Sequence, residues 1–152
     1  MGVGKSKRRE QPSPNGESMK FTIGSDFTES RDVQSRILED VRNCGYDEQS
    51  IFAIKLAMEE AFINAIRHGN KLDPNKKVHI EAKISPVRAE IIVEDEGPGF
   101  KREKVPDPTT DDNLCKCSGR GILLMESYMN SIKYTKNGRR VRMVRINQRH
   151  LS

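Results

Sequence analysis

Two short runs of alternating residues, one from Val78 to Ile84 and one from Ala89 to Glu94, constrain this chain more than any other feature. In the first, Val78, Ile80, Ala82 and Ile84 alternate with His79, Glu81 and Lys83; in the second, Ala89, Ile91 and Val93 alternate with Glu90 and Glu94. Successive strand residues point to opposite faces of a sheet, so each run is a strand with one apolar side. Ser85-Pro86 between them is a turn signal, and the pair reads as two antiparallel strands. An apolar sheet face must be covered, and the elements before and after these strands supply the cover.

Met19-Lys20-Phe21-Thr22-Ile23 also alternates and predicts an earlier strand. A helix is expected from Glu29 to Asn43, with Val33, Ile37, Leu38 and Val41 inward and Gly45 just past its end. Asp47 opens a second helix reaching His68, broken by Gly69-Asn70 and Asp73-Pro74-Asn75. From Gly97 to Gly119 periodicity is lost, as in a long functional or disordered loop. Ile122 to Tyr128 reads as a third helix, and strands near Ser131–Thr135 and Arg140–Ile146 meet at the hairpin signal Asn137-Gly138. The order predicts an α+β two-layer sandwich, a mixed or antiparallel sheet covered by about three helices.

With 152 residues, 34% of them hydrophobic, the chain suffices for one domain, expected over residues 19–147. Residues 1–18 are basic and rich in Ser, Pro and Gly, without the apolar stretch of a secretion signal; a disordered tail and a cytoplasmic protein are expected. No apolar run approaches the roughly 20 residues of a membrane-spanning helix. Cys44, Cys115 and Cys117 form no disulfide framework, and Cys115-Lys116-Cys117, lacking a second pair or a nearby His, reads as idle thiols rather than a zinc site. The net charge of +5 is unevenly spread: after Glu126 there is no acidic residue, while Lys133, Lys136, Arg139, Arg140, Arg142, Arg145 and Arg149 follow. That segment is either a patch for nucleic acid, an acidic protein or phosphate, or an edge strand guarded against pairing by its charges. No aromatic residues stand among the arginines to stack on bases, which favours the edge strand.

Three places carry candidate chemistry. On the second helix Ile51, Ile54, Met58, Ala61, Phe62 and Ala65 form the core stripe, and Glu60 and Asn64 are neighbours on the other side, with His68 a turn further on. A carboxylate and a carboxamide together offer oxygens to a hard cation or a water. Phe52, Leu56, Ile63 and Ile66 leave this helix too little polar surface for plain solvent, so its few polar groups are expected to line a site. Second, Asp95 ends an apolar strand and precedes Gly97-Pro98-Gly99: an acceptor for an exocyclic amine such as adenine's beside glycines that admit a ligand, or a plain turn. Third, Gly119-Arg120-Gly121 opens a helix whose free N–H groups and dipole suit phosphate, with Arg120 as a charged fork.

In this order the three resemble the GHKL (Bergerat-fold) ATPases, and within them the small anti-sigma-factor serine kinases of bacterial stress and sporulation programmes. The matching text is Glu59 to Gly69, Asp95 to Phe100 and Gly119 to Met125. The resemblance implies ATP and Mg²⁺ as cofactors and a protein-serine/threonine kinase activity. Glu60 would be the general base, Asn64 the Mg²⁺ ligand and Asp95 the adenine acceptor. Gly97 and Gly99 would shape the pocket, and Gly119, Arg120 and Gly121 would hold the phosphates. His68 is read as a pocket-edge residue. The implied partners are a small antagonist protein, which accepts phosphate, and a sigma factor held inactive; a homodimer is implied as well. The alternatives are a nucleotide-dependent binding regulator of the same fold that transfers no phosphate, and a nucleic-acid-binding module resting on the C-terminal arginines alone.

Overall fold

The fold is described from a computed structural model over residues 18–98 and 128–148. Strand β1 (Ser18–Gly24) leads into helix α1 (Phe27–Asn43) and helix α2 (Glu48–Ile63), which continues as a π-helical turn (Asn64–Gly69). Strands β2 (Lys77–Ile84) and β3 (Arg88–Asp95) follow, then β4 (Ser131–Thr135) and β5 (Arg140–Ile146). Helix α1 begins two residues before the expected Glu29 because Asp26 caps it, accepting from the Thr28 amide at 2.7 Å. Asp47 caps α2 in the same way, through the Ser50 amide at 2.8 Å. Gly45, at φ +82°, turns the chain between the helices.

The strands form one five-stranded sheet in the order β1-β2-β3-β5-β4. Every pairing is antiparallel, which decides between the mixed and antiparallel sheets. In register, Ile80 faces Val93 and Ile91 faces Met143, so the apolar residues of the alternating runs share one side. They are buried beneath Val33, Ile37, Leu38 and Val41 of α1 and Ile54, Met58 and Phe62 of α2. The third helix expected over residues 122–128 lies, apart from Tyr128, outside the described residues.

Part of the apolar excess on α2 goes into packing within the domain. Ala53, Ala57 and Ile66 are buried, since the helix packs on α1 as well as on the sheet, and Gln34 Nε2 donates to the Lys55 carbonyl at 3.1 Å between the helices. Leu56 and Ile63 are only half-buried, and Phe52 is 55% exposed and edge-on to Tyr128. The basic segment divides between the two strands: β4, which carries Lys133, forms the border of the sheet as expected, whereas β5, with Arg140, Arg142 and Arg145, lies inside it between β3 and β4.

Candidate nucleotide site

Glu60 and Asn64 occupy adjacent turns of α2, as their spacing predicts, and both are partly exposed. The Asn64 amide still donates to the Glu60 carbonyl, so the α-helical geometry holds up to this point. Beyond it the turn widens, and the Asn70 amide reaches back five residues to the Ala65 carbonyl at 2.8 Å. The wider turn displaces His68 from the position one α-turn beyond Asn64 that an unbroken helix would give it, and His68 lies exposed.

The Oδ1 of Asn64 is buried and has no hydrogen-bond partner among the described residues. Leaving such an oxygen unsatisfied costs roughly 1–3 kcal/mol. An oxygen of this kind suits a hard cation. Among the described residues no group of three or more His, Cys, Asp or Glu stands together to hold a metal. The protein oxygens here would therefore complete a cation's shell only together with ligand oxygens and water, the usual manner of Mg²⁺.

Asp95 closes β3 and is buried, 6% exposed. Its Oδ1 accepts from the Gly97 amide at 2.9 Å, and no hydrogen bond to Oδ2 is made among the described residues. Burial pushes the Asp95 carboxyl above its usual range, with the Gly97 N–H and Arg139 opposing. A buried carboxylate with Oδ1 tied to the chain turn is well formed to take a donor from a ligand on Oδ2.

Gly69, at the end of the π turn, joins the two halves of the site. A Cβ on Gly69 would stand 2.3 Å from Asp95 Oδ2, and one on Gly97 would stand 1.9 Å from the Gly69 carbonyl oxygen. The helix end carrying Asn64 and the strand end carrying Asp95 thus meet backbone to backbone, with no room for side chains. Asn70, Gly69 and Glu96 form this junction, and sequence reasoning assigned none of them a role. The Gly69-Asn70 pair signalled only the end of a helix. Gly99, Gly119, Arg120, Gly121, Cys115 and Cys117 lie outside the described residues.

An α+β sandwich with a helix-borne Glu and Asn joined through glycines to a buried strand-end Asp defines a domain of the nucleotide-binding class. The chain matches the family model of the histidine kinase-like ATPase domain over residues 27–145, and it belongs to that family. It is 40% identical over 82 residues to an anti-sigma F factor of Clostridium perfringens (strain SM101 / Type A), covering 53% of this chain and 59% of that relative. It is 34% identical over 95 residues to the serine-protein kinase RsbW of Bacillus subtilis (strain 168), covering 59% of each. The matches thus span about three fifths of the length of these curated relatives. A crystal structure of the RsbU and RsbW domains of a Mycobacterium tuberculosis protein shares the fold. Its TM-score is 0.57 at 15% identity, over 86% of this chain and 32% of that one. Among the described residues no helix is long and apolar enough to cross a membrane.

Proposed function

We propose that this protein is an ATP-dependent protein-serine/threonine kinase that acts as an anti-sigma regulatory factor. It would phosphorylate a small antagonist protein and otherwise hold a sigma factor inactive, as a cytoplasmic homodimer built on residues 19–147. The observation that carries the reading is the buried Asn64 Oδ1, without a hydrogen-bond partner among the described residues and one helical turn from Glu60. The names of the two relatives support the choice of partner class.

ATP with Mg²⁺ supplies the phosphoryl group and the cationic charge that offsets its oxygens. The remaining work belongs to the chain. Asn64 would offer Oδ1 to the cation, and Asp95 would accept from the exocyclic amine of adenine. Gly97 and Gly99 would let the backbone approach the nucleotide, and Gly119, Arg120 and Gly121 would hold the phosphates. Glu60 takes the proton from the incoming serine hydroxyl. Phosphoryl transfer asks little covalent help of a protein beyond in-line positioning and charge cancellation, so this short set suffices.

The test is titration calorimetry with ATP and Mg²⁺, followed by transfer of labelled phosphate to a candidate antagonist by the wild type and Glu60→Gln. The variant keeps the shape of the side chain and loses the base. It is expected to bind nucleotide as the wild type does and to transfer phosphate about 10²–10⁴-fold more slowly. Equal transfer by the variant would remove Glu60 from its role. Nucleotide binding without transfer by the wild type would favour the binding-only regulator.

A further inference from the structure

Asn70 is 1% exposed, in a loop between a helix and a strand where solvated side chains are the rule. Its Nδ2 donates to the Lys77 carbonyl at 2.9 Å and to Ser25 Oγ at 3.1 Å, and its Oδ1 accepts from the Glu96 amide at 2.8 Å. Ser25 Oγ in turn donates to the Lys76 carbonyl at 2.9 Å. One carboxamide thus ties together the end of β1, the start of β2, the exit of β3 and, through its own backbone, the π turn. The assignment of its two ends is forced, because a flipped amide would set Oδ1 against the Lys77 carbonyl.

The backbone that presents Asn70 is held in an uncommon conformation. Lys71 and Leu72 both have positive φ, 54° and 60°, and Leu72 is 52% exposed, so its packing does not repay the strain. The Leu72 amide closes on the Ile66 carbonyl at 2.8 Å and the Asp73 amide on the Asn70 carbonyl at 3.0 Å. The strained turn directs Asn70 inward, toward the residue between Asp95 and Gly97.

Resting on the nucleotide reading above, we propose that Asn70 is a positioning residue for adenine recognition. By holding the Glu96 amide against β2 and β1, it fixes the pose of the Asp95 carboxylate, which it does not itself touch. Without it the peptide between Asp95 and Gly97 loses its anchor, and the carboxylate no longer meets the amine at a defined angle. Recognition of the base should suffer more than binding of the phosphates.

The test has a readout that needs no nucleotide. Hydrogen exchange at the Gly97 amide, whose acceptor is Asp95 Oδ1, is compared with exchange at the Ile91 amide in the middle of β3. In Asn70→Ala the Gly97 amide should exchange about tenfold faster relative to Ile91, equivalent to ~1.4 kcal/mol of local opening. Ser25→Ala, which removes one of the two acceptors on Nδ2, should give about a threefold change, and it serves as the probe if Asn70→Ala does not fold. Tyr46→Phe deletes a hydrogen bond to the Ser85 carbonyl at the far end of β2 and should leave the ratio unchanged. In the same variants the ratio of the Kd for GTP to that for ATP, each with Mg²⁺, should fall about tenfold for Asn70→Ala, a value that does not depend on the folded fraction. Gly97 and Ile91 accelerating together, or neither moving, would overturn the proposal. If wild-type protein does not distinguish the two nucleotides, the adenine role of Asp95 fails, while the exchange ratio still decides whether Asn70 holds that carboxylate.

Discussion

Replacing Asp95 by Asn separates recognition from stability, because the two should move in opposite directions. The Gly97 amide needs an acceptor, so the new carboxamide is expected to keep Oδ1 there and to place Nδ2 where Oδ2 lies against Gly69. The group facing adenine then changes from acceptor to donor, and the exocyclic amine is itself a donor. The variant loses a charge-assisted hydrogen bond, worth about 1.5–3 kcal/mol, which is roughly a 10- to 150-fold loss of affinity before any donor–donor repulsion. Guanine carries a carbonyl at the same ring position, so GTP should bind the variant better than it binds the wild type. Stability should rise or hold, since burial raises the Asp95 carboxyl in the folded protein. A raised carboxylate is a cost to folding when ionised. That cost is absent below the unfolded pKa of about 3.9 and is complete only above the raised folded value. The melting temperature of Asp95→Asn relative to wild type should therefore climb as pH rises from the ordinary carboxylate range toward neutrality. Calorimetry with ATP and GTP and thermal melts across that window check both halves. Unchanged ATP affinity with GTP still rejected would refute the assignment of Asp95, and a destabilised variant at neutral pH would refute the electrostatic argument.

Asn64→Ala should weaken ATP binding about tenfold or more in Mg²⁺ and leave it unchanged in chelator, with a melting temperature at or above wild type because a buried, unpartnered oxygen is gone; calorimetry with and without Mg²⁺ reads this, and retained Mg²⁺ dependence removes Asn64 from the cation site. Gly97→Ala should lose nucleotide binding and about 1–3 kcal/mol of stability, or ~2–4 °C of melting temperature per kcal/mol, since its Cβ would stand 1.9 Å from the oxygen and 2.5 Å from the carbon of the Gly69 carbonyl, which is backbone and cannot rotate away. That loss comes from contact rather than from backbone angle, because Gly97 is not among the residues with positive φ; an unaffected melt would mean that the two turns separate easily.

The elements legible from sequence were those whose signal is local. The alternation around Ile80 and Ile91 and the stripe through Ile54 and Met58 required no knowledge of partners, and both faces are buried as the periods predict. The cap Asp47 acts within three residues of itself and was legible, whereas the equally local cap Asp26 was missed, so that the expected helix began at Glu29. What was not legible depends on segments far apart in the chain. Asn64 to Gly69 has the composition of an ordinary helix end, and its π geometry brings Gly69 against Asp95 and Gly97, more than twenty residues later. Asn70 reads locally as a helix terminator, yet its bond to the Glu96 amide spans 26 residues and its bond to Ser25 spans 45. Glycine signals told where the chain turns, and only the fold tells which turns touch.

The C-terminal charge run shows the same limit. Along the chain, seven Lys and Arg residues follow the last acid and suggest a cationic patch. Across the sheet, β5 is paired with β3, whose outward residues include Glu90 and Glu94. Arg142 reaches Glu90, which also takes Arg88 at 3.1 Å, and Lys136 reaches Glu94 at 3.1 Å. Burial pushes the Glu90 carboxyl up, but the bond and charge of Arg142, with Arg88, more than offset it and hold the group below its usual range. Arg145 is used differently, donating to the Tyr128 carbonyl and, at 3.2–3.3 Å, to Ser50 Oγ at the start of α2. Partly exposed ion pairs such as these add little stability, about 0–1 kcal/mol each. Of the seven cations in the run, Lys136 and Arg142 are paired with acids from β3, and Arg145 is tied to the start of α2. Three of the cations that a nucleic-acid-binding surface would use are thus engaged within the fold, which weakens that reading and leaves the helix end and strand end joined at Gly69 as the site to test.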